Sequence, residues 1–337
     1  MSESALNKWL NYTGVFAGLI KRTGSVLISV LLLVVLMSSA AYMIDIKTAT
    51  TVLFTMEPAW LCAAFLLTTL TFLVNSYRFA VIARWMLPQN TSYAVSVKIT
   101  WLGGFLALST PFAVLGDVAR AGLMKMVMRV PVRRCIEIIL FDRGFGLLTL
   151  LLFLLLTSLG CARFIQQQYW LLLAQVILPA AAVFGLVIVL VGSSFVRWPD
   201  NRLSGYVKFL LDDLSSMLKK PNNLLLQMFI TLLNIVIYVA SFIALSYAMH
   251  FSFDIVMLLL FCPLILIINN MPFFYMGWGG REAVLLMLVP IIAPTASNEV
   301  ILAASMGCGA VFMLVSLMGG VYLLNPNTIR NRSHGEA

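Results

Sequence analysis

The stretch "NNMPFFYMGWGGREAVLL", from Asn269 to Leu286, lies within a chain that is otherwise mostly leucine, valine, isoleucine, methionine and phenylalanine. It contains a proline, three glycines and an adjacent Arg281–Glu282 pair. Proline and glycine interrupt a helix, and charged side chains are costly in an apolar environment. The stretch therefore predicts irregular backbone inside an apolar region, and the surrounding sequence indicates why it is there.

The composition is that of a membrane protein. Of the 337 residues, 61% are hydrophobic and 10% are charged, and the mean hydropathy is +0.99. A soluble domain has about 25% charged residues. The apolar runs are continuous and about 20 residues long, which is the length that a helix needs to cross a bilayer. The strands of an outer-membrane barrel would instead alternate apolar and polar residues. We therefore predict an all-α polytopic membrane protein, with residues 1–337 forming a single transmembrane domain.

The polar residues exclude several other classes of protein. The formal net charge is +9, but the lysines and arginines lie in short loops beside apolar runs, so they do not indicate nucleic-acid binding. The five cysteines are scattered, without a C-x-x-C pair or a cluster with the two histidines. We therefore predict no disulfide framework, no metal site and no cofactor, and a histidine-based hydrolase is not expected.

Six apolar runs predict full transmembrane helices, at about residues 24–44, 58–77, 135–159, 170–195, 224–248 and 299–324. Two further regions, about 92–128 and 254–293, are interrupted by proline and glycine. We interpret each as a re-entrant helical hairpin, although two full spans would leave its outer ends on the same side. Between the fourth and fifth spans, residues 203–218 have an apolar helical face. They predict an amphipathic helix on the cytoplasmic leaflet or a packed connector.

The distribution of positive charge predicts the orientation. With a cytoplasmic N-terminus, only Lys47 and Arg163 fall outside, and Lys98, Arg120, Arg143 and Arg281 fall at membrane depth. Such a bias predicts that residues 1–23 and 325–337 are cytoplasmic tails. We interpret Arg78 and Arg84 as topology anchors, with a role in the site as the alternative. The cytoplasmic set is Lys8, Lys21, Arg22, Arg78, Arg84, Lys125, Arg129, Arg133, Arg134, Arg197, Arg202, Lys208, Lys219, Lys220, Arg330 and Arg332.

The two interrupted regions share a motif. Both fit P-F-x3-G-x3-R, starting at Pro111 and again 161 residues later at Pro272. Each half of the chain has the order span, span, hairpin, span, and the two halves have opposite orientations. We therefore predict an inverted-topology repeat, with a first unit at about 24–159 and a second at about 170–324.

The interruptions predict an anion site. Irregular backbone at membrane depth is tolerated only inside protein or beside a polar cavity. Helices that start at the breaks would direct free N–H groups and positive dipole ends into such a cavity, where glycine permits close approach and arginine binds phosphate. The predicted lipid-phosphate site comprises Arg120, Arg281, Gly116, Gly277 and Gly279, with Pro111 and Pro272 as the hairpin breaks.

Acidic residues at the same depth have two possible roles. Charged groups within a span are paired, hydrated or functional. In the alternative to an anion site, proline and glycine only kink the helices and each arginine pairs with a nearby carboxylate. Asp142 is a candidate partner of Arg120 or Arg281, or a proton carrier. The predicted coupling or ion-pair residues are Asp117, Asp142, Arg143 and Glu282.

Three blocks occur in order along the chain: "STPFAVLGDVARAGLM", "FDRGFGLL" and "MPFFYMGWGGREAVLL". Together they resemble the flippase-like membrane family that includes the transmembrane part of lysylphosphatidylglycerol synthases. The family pattern is a small residue or Ser before Pro, followed by G-D-x-x-R-A, then an intramembrane D-R, then Pro followed by G-x-G-x-R-E. The matching residues here are Pro111, Gly116, Asp117, Arg120, Ala121, Asp142, Arg143, Pro272, Gly277, Gly279, Arg281 and Glu282.

The departures from the family pattern affect what the resemblance implies. Phe112-Ala113-Val114-Leu115 and Phe273-Phe274-Tyr275 lie where the family usually has small residues such as Gly and Ser, and this bulkier lining implies a narrower cavity or a different headgroup. The chain ends at Ala337, soon after the last predicted span, so we expect the soluble aminoacyl-transferase domain of the synthases to be absent. This chain is then not expected to make lysylphosphatidylglycerol.

The resemblance implies translocation of a lipid or glycolipid across the cytoplasmic membrane, to which we expect the protein to be integral. We expect a flippase or scramblase for an anionic phospholipid or a polyprenyl-phosphate-linked glycolipid used in cell-envelope assembly, and not an enzyme. No GxxxxGK[ST] motif is present, so a lipid gradient, an ion gradient or the membrane potential would drive transport. The alternatives are a membrane glycosyltransferase or phosphotransferase acting on a lipid-linked sugar, and a non-catalytic partner of an envelope-synthesis enzyme. The expected partners are membrane lipids as substrate, envelope-biosynthesis enzymes and further copies of the chain.

Overall fold

The computed structural model describes residues 55–87, 91–108, 113–128, 130–160, 169–193, 208, 211–215, 220–271 and 279–324. All regular elements within these ranges are helical, and none is a strand. The α-helices are α1 Pro58–Met86, α2 Tyr93–Leu108, α3 Ala113–Met128, α4 Val132–Ser158, α5 Tyr169–Leu172, α6 Leu178–Ser193, α7 Pro221–Ala248, α8 Ile255–Asn269, α9 Gly280–Ile292, α10 Asn298–Leu317 and α11 Val321–Leu324. A π-helical turn, Leu173–Ile177, joins α5 to α6, and a 3-10 turn, Met318–Gly320, joins α10 to α11.

Five helical stretches in the described part of the chain are long and apolar enough to cross a membrane. They are Pro58–Met86, Val132–Ser158, Tyr169–Val189, Pro221–Ala248 and Asn298–Gly320. The prediction of an all-helical membrane protein is therefore confirmed for the described residues. Each stretch coincides with a predicted span, while the first predicted span, 24–44, lies outside the described ranges. The second span was predicted to end near residue 77, but α1 continues to Met86.

Helices α1 and α7 pack as an antiparallel pair. Both begin with proline in the first turn, where a missing N–H costs no hydrogen bond. Polar side chains join them along their length: the hydroxyl oxygens of Thr68 and Ser241 are 3.0 Å apart. At one end of the pair, the Glu57 N–H donates to the Ala248 carbonyl at 3.0 Å. Small polar groups of this kind let membrane helices approach closely and hold them in register.

Two pairs of short helices pack side by side. Helices α2 and α3 have 16 residues each, and α8 and α9 have 15 and 13, so each is about 20–24 Å long. A Cβ placed at Gly103 would contact Arg120, and one at Gly116 would lie 2.7 Å from Ala107. The contacts Gly103–Arg120 and Ala107–Gly116 have the same midpoint in sequence, between residues 111 and 112. Helices α2 and α3 therefore run antiparallel. In the second pair, the Asp254 N–H donates to the Ile292 carbonyl at 2.7 Å, which joins the outer ends of α8 and α9.

The contacts between helices repeat across the two halves. Helices α1 to α4 have the same order of lengths as α7 to α10. Helix α4 packs on α8 of the other half, and α10 packs on α2 in the equivalent way. Likewise α7 contacts α4 and α1 contacts α10. One buried apolar cluster lies among α1–α4 and the other lies mostly among α7–α10. The described helices of the two halves therefore make reciprocal contacts, and the inverted-topology repeat stays a prediction.

The connector between the halves is described only in part. Residues 211–215 are helical, and the remainder of the predicted amphipathic segment lies outside the described ranges apart from residue 208. Leu214 packs against the apolar cluster of the first half. Asp213 forms an ion pair with Arg134 at 3.0 Å. These contacts favour the packed-connector interpretation for the described residues.

Candidate functional site

Asp142, on α4, is the centre of a buried charge network in the first half. Its Oδ1 accepts a hydrogen bond from Arg78 Nε at 3.1 Å, and its Oδ2 accepts one from Arg120 Nη2 at 3.3 Å. All three side chains are largely inaccessible to solvent. Charged groups at this depth require partners, and here one carboxylate serves two guanidinium groups.

Asp117, in the first turns of α3, extends this network to the surface. It lies 3.4 Å from Arg120 Nη1. It also accepts two bonds from Arg143: Nε donates to Oδ2 at 3.1 Å and Nη2 to Oδ1 at 3.0 Å. Arg143 Nη1 lies 3.4 Å from Oδ1 of Asn270, at the C-terminal end of α8. Arg143 therefore links both short-helix pairs.

The close packing of the short helices positions the buried arginines. Gly103 on α2 leaves the space that the aliphatic part of Arg120 occupies, because a Cβ there would overlap it. Gly146 on α4 makes room for Arg78, since a Cβ there would lie 2.8 Å from its Nη1. The Arg120 guanidinium carbon also lies 4.7 Å from the centre of the Phe79 ring, within the range of a cation–π interaction.

Arg281 forms the corresponding network in the second half. Its Nε donates to the Ser305 hydroxyl at 2.7 Å, and its Nη2 donates to the Ser305 carbonyl at 2.8 Å and to Glu282 Oε1 at 2.9 Å. The Ser305 hydroxyl in turn donates to Glu282 Oε1 at 2.6 Å. Arg281 is buried, so this neutral pair is enclosed by protein.

The start of α9 binds an internal anion. Gly279 has φ 86°, a left-handed conformation that glycine adopts without strain. Its N–H donates to Glu282 Oε2 at 2.6 Å. A carboxylate thus occupies a helix N-terminus, where the free N–H groups and the helix dipole favour negative charge.

The two networks have separate partners. Arg120 contacts Asp117 and Asp142, whereas Arg281 contacts Glu282 and Ser305. The predicted pairing of each arginine with its neighbouring carboxylate is observed in both halves. Of the two partners considered for Asp142, the structure brings it to Arg120.

The remaining predicted site residues fall into two groups. Gly116 is buried against Ala107, so it provides close helix contact in this structure. Its predicted role in anion approach stays a prediction. Pro111, Pro272 and Gly277 lie outside the described residues.

The described residues contain no group of three or more His, Cys, Asp or Glu side chains arranged to hold a metal ion. The expectation of no cofactor stays a prediction. The chemistry of both networks is that of guanidinium, carboxylate, hydroxyl and backbone groups, which bind anions and exchange hydrogen-bond partners.

Comparison with known proteins gives one match. Residues 24–319 match the family described as the lysylphosphatidylglycerol synthase TM region. The chain belongs to this family. No curated protein and no solved structure gives a significant match. The matched segment contains both arginine networks, and membership establishes a membrane protein related to lipid modification or transport.

Three residues of these networks were not predicted from the lysylphosphatidylglycerol synthase motifs. Arg78, interpreted as a topology anchor, is instead buried within α1 and paired with Asp142. The apolar run that continues past it, "RFAVIARWM", was a signal that the helix extends further. Ser305 lies on an apolar helix, where nothing in the sequence separates it from other helical serines. Asn270 is adjacent to the second break, but its contact with Arg143 depends on tertiary structure.

Proposed function

We propose that this protein moves an anionic lipid across the membrane, as a flippase or scramblase that does not hydrolyse nucleotides. The observation that carries the proposal is the two pairs of short helices, each with a buried arginine bound to a carboxylate. Substrate and ion sites of many transporters form from broken helices at the interface of inverted repeats.

The length of the short helices supports re-entrant hairpins. At about 20–24 Å each, they are shorter than the roughly 30 Å hydrocarbon core, so their inner ends lie within the bilayer. With the N- and C-termini cytoplasmic, as positive charge predicts, the α2–α3 hairpin opens to the cytoplasm and α8–α9 to the opposite side. Their inner ends then approach the middle of the membrane from opposite leaflets.

The charge networks support an anionic substrate. In the described structure each arginine is bound to a carboxylate of the same chain, as a resting state requires. A lipid phosphate offers oxygens of the same kind and displaces a carboxylate at little net cost. The hairpins then move against the central helices, which exposes the site to the other leaflet. We place this activity in the assembly of the cell envelope at the cytoplasmic membrane.

The experiment that tests the proposal is headgroup translocation in proteoliposomes. Fluorescent phosphatidylglycerol, phosphatidylcholine and polyprenyl-phosphate analogues are incorporated, and an impermeant reductant reports the outward-facing fraction. We expect wild-type protein to move at least one anionic lipid, and Arg120→Ala and Arg281→Ala to reduce its rate at least about tenfold, the effect of losing a charge-assisted contact of about 1.4 kcal/mol or more.

The matched control is Arg133→Ala, because Arg133 is half-exposed at the start of α4 and lies outside both arginine networks, where it pairs with Glu137. Folding of each variant is checked by size-exclusion chromatography and thermal unfolding. Folded wild-type protein that moves none of these lipids would contradict the proposal and favour an enzyme or a non-catalytic partner. Transport that both arginine variants retain would instead make the arginines structural.

A further inference from the structure

The network around Asp142 and Asp117 carries an unbalanced charge. It contains the arginines Arg78, Arg120 and Arg143 but only two carboxylates, so its described members sum to one positive charge. The network of the second half, Arg281 with Glu282, is neutral. A net charge within a membrane bundle is unfavourable, and an added anion with a single charge removes it.

Arg143 is the member of this network that an external ligand can reach. Its side chain is 47% exposed, against 13% for Arg78 and 10% for Arg120. Leu140 and Leu147, about one helical turn to either side, are half-exposed on the same face of α4. Arg143 lies near the middle of a helix of 27 residues, so where α4 spans the membrane this exposed face is at the depth of the lipid tails.

The helices that contact Arg143 carry two buried polar atoms with unused hydrogen-bonding capacity. Among the described residues, Arg120 Nε on α3 has no hydrogen-bond partner. The Oδ1 atom of Asn269, the residue before Asn270 on α8, is likewise buried without a partner in the described structure. Buried donors and acceptors without partners are costly, so they are expected to be satisfied in another state of the protein.

We propose that Arg143 is the access point for the headgroup, where it binds the phosphate of a lipid with one net negative charge arriving laterally from the bilayer. This inference rests on the proposed function and names its substrate class. The phosphodiester presents two non-ester oxygens to the guanidinium, as the Asp117 carboxylate does in the described state. It therefore replaces Asp117 with the same bidentate geometry and balances the charge.

Displacement at Arg143 also has a mechanical consequence. Arg143 contacts Asp117 of the first hairpin and Asn270 of the second, so it links both hairpins to α4. When a phosphate takes these bonds, the link is released and the hairpins are free to move. The network has one excess positive charge, whereas a diphosphate-linked lipid carries more than one negative charge. We therefore infer that the site prefers a lipid with a single phosphodiester.

The test measures binding separately from transport. The full chain, purified in a neutral detergent, is titrated with soluble dihexanoyl-phosphatidylglycerol, and dihexanoyl-phosphatidylcholine serves as the net-neutral phosphodiester. Kd is obtained from the ligand-induced shift in Tm. We expect Arg143→Gln to weaken binding of phosphatidylglycerol about tenfold or more, and Arg143→Lys to weaken it less, because the charge remains without the bidentate geometry. The matched control on the same helix, Arg133→Gln, leaves the Kd unchanged.

The variant that separates a binding role from a structural role is Asp117→Asn. If Asp117 competes with the phosphate, its neutralisation tightens binding of phosphatidylglycerol several-fold. If the pair is only structural, Asp117→Asn weakens binding or leaves it unchanged, and the inference is overturned. It is also overturned if folded Arg143→Gln binds as wild type does.

The outcomes distinguish this inference from the proposed function. If the binding changes are as expected but no lipid moves in proteoliposomes, the site at Arg143 is supported and the proposed transport is rejected. If the protein moves lipid but folded Arg143→Gln binds phosphatidylglycerol with wild-type affinity, the proposed transport is supported and the site at Arg143 is rejected.

Discussion

At the scale of single residues, Asp142 is a buried carboxylate that depends on two arginines. One buried carboxylate faces Arg78 and Arg120, and both guanidinium groups are themselves largely buried. Desolvating these groups is costly, and their mutual attraction offsets that cost only while every partner is present. The network is therefore more sensitive to loss of Asp142 than to loss of any one arginine.

Asp142→Asn is predicted to destabilise the protein by about 3–5 kcal/mol, the cost of leaving buried charge without its partner. The matched control is Asp213→Asn, which removes the carboxylate paired with the partly exposed Arg134 and is predicted to cost about 1 kcal/mol or less. The measurement is denaturant unfolding in detergent, with the midpoint and slope compared for both variants. Equal losses in the two variants would contradict a special role for the buried network.

The sequence motifs identified the charged residues of both networks but not all of their partners. The motifs identified Asp117, Arg120, Asp142, Arg143, Arg281 and Glu282 because charged residues are rare in apolar runs. They did not identify Ser305, which accepts a hydrogen bond from Arg281, because a helical serine usually bonds to its own backbone. Partner choice depends on tertiary contacts, so the pairing of Arg78 with Asp142 was not predicted either.

At the scale of elements, the α2–α3 hairpin depends on glycines at defined positions. Gly103 and Gly116 lie on facing surfaces of the two helices and bring their backbones close together. Gly122, further along α3, has no heavy atom within 4 Å of the position that a Cβ would occupy. The hairpin therefore contains glycines with and without a packing role.

Gly103→Ala is predicted to destabilise the hairpin and to displace Arg120, because the new methyl group overlaps Cγ and approaches Cδ to 2.9 Å. Overpacking of this kind costs about 1–3 kcal/mol. Gly122→Ala is predicted to be neutral or stabilising by up to about 1 kcal/mol, since alanine favours helix and the site is open. Thermal unfolding of the two variants tests the difference. A more harmful effect at Gly122 would contradict the described packing.

The elements themselves were predictable to different degrees. Hydropathy located the five described spans, because in a membrane protein a continuous apolar run of about 20 residues indicates a transmembrane helix. It did not give the end of α1, since Arg78 and Arg84 resemble a helix boundary until their contacts are known. The π-helical turn at Leu173–Ile177 also had no sequence signal, as an extra residue in one turn leaves the apolar pattern unchanged.

At the scale of the whole molecule, the two halves are joined by reciprocal contacts. Gly160, after α4, lies against Leu260 of α8, and Gly319, after α10, lies against Trp101 and Phe105 of α2. Each hairpin therefore packs against the last long helix of the other half. The P-F-x3-G-x3-R motif suggested two related halves, but only the helix contacts show how those described parts interlock.

This arrangement predicts different consequences for two cross-links. In a cysteine-free background, Thr68→Cys with Ser241→Cys joins α1 to α7 at the centre, where the hydroxyl oxygens are 3.0 Å apart. Gly160→Cys with Leu260→Cys joins α4 to the second hairpin, where a Cβ at 160 would be 3.2 Å from the leucine methyl groups. If the hairpins move against a fixed central pair, a short bifunctional thiol reagent leaves lipid transport intact in the first variant and stops it in the second.

Transport is measured in the same proteoliposomes before and after cross-linking, with each single-cysteine variant as the control. Loss of transport on linking Thr68 to Ser241 would mean that α1 and α7 themselves separate during transport, and the moving unit would then be a whole half of the molecule.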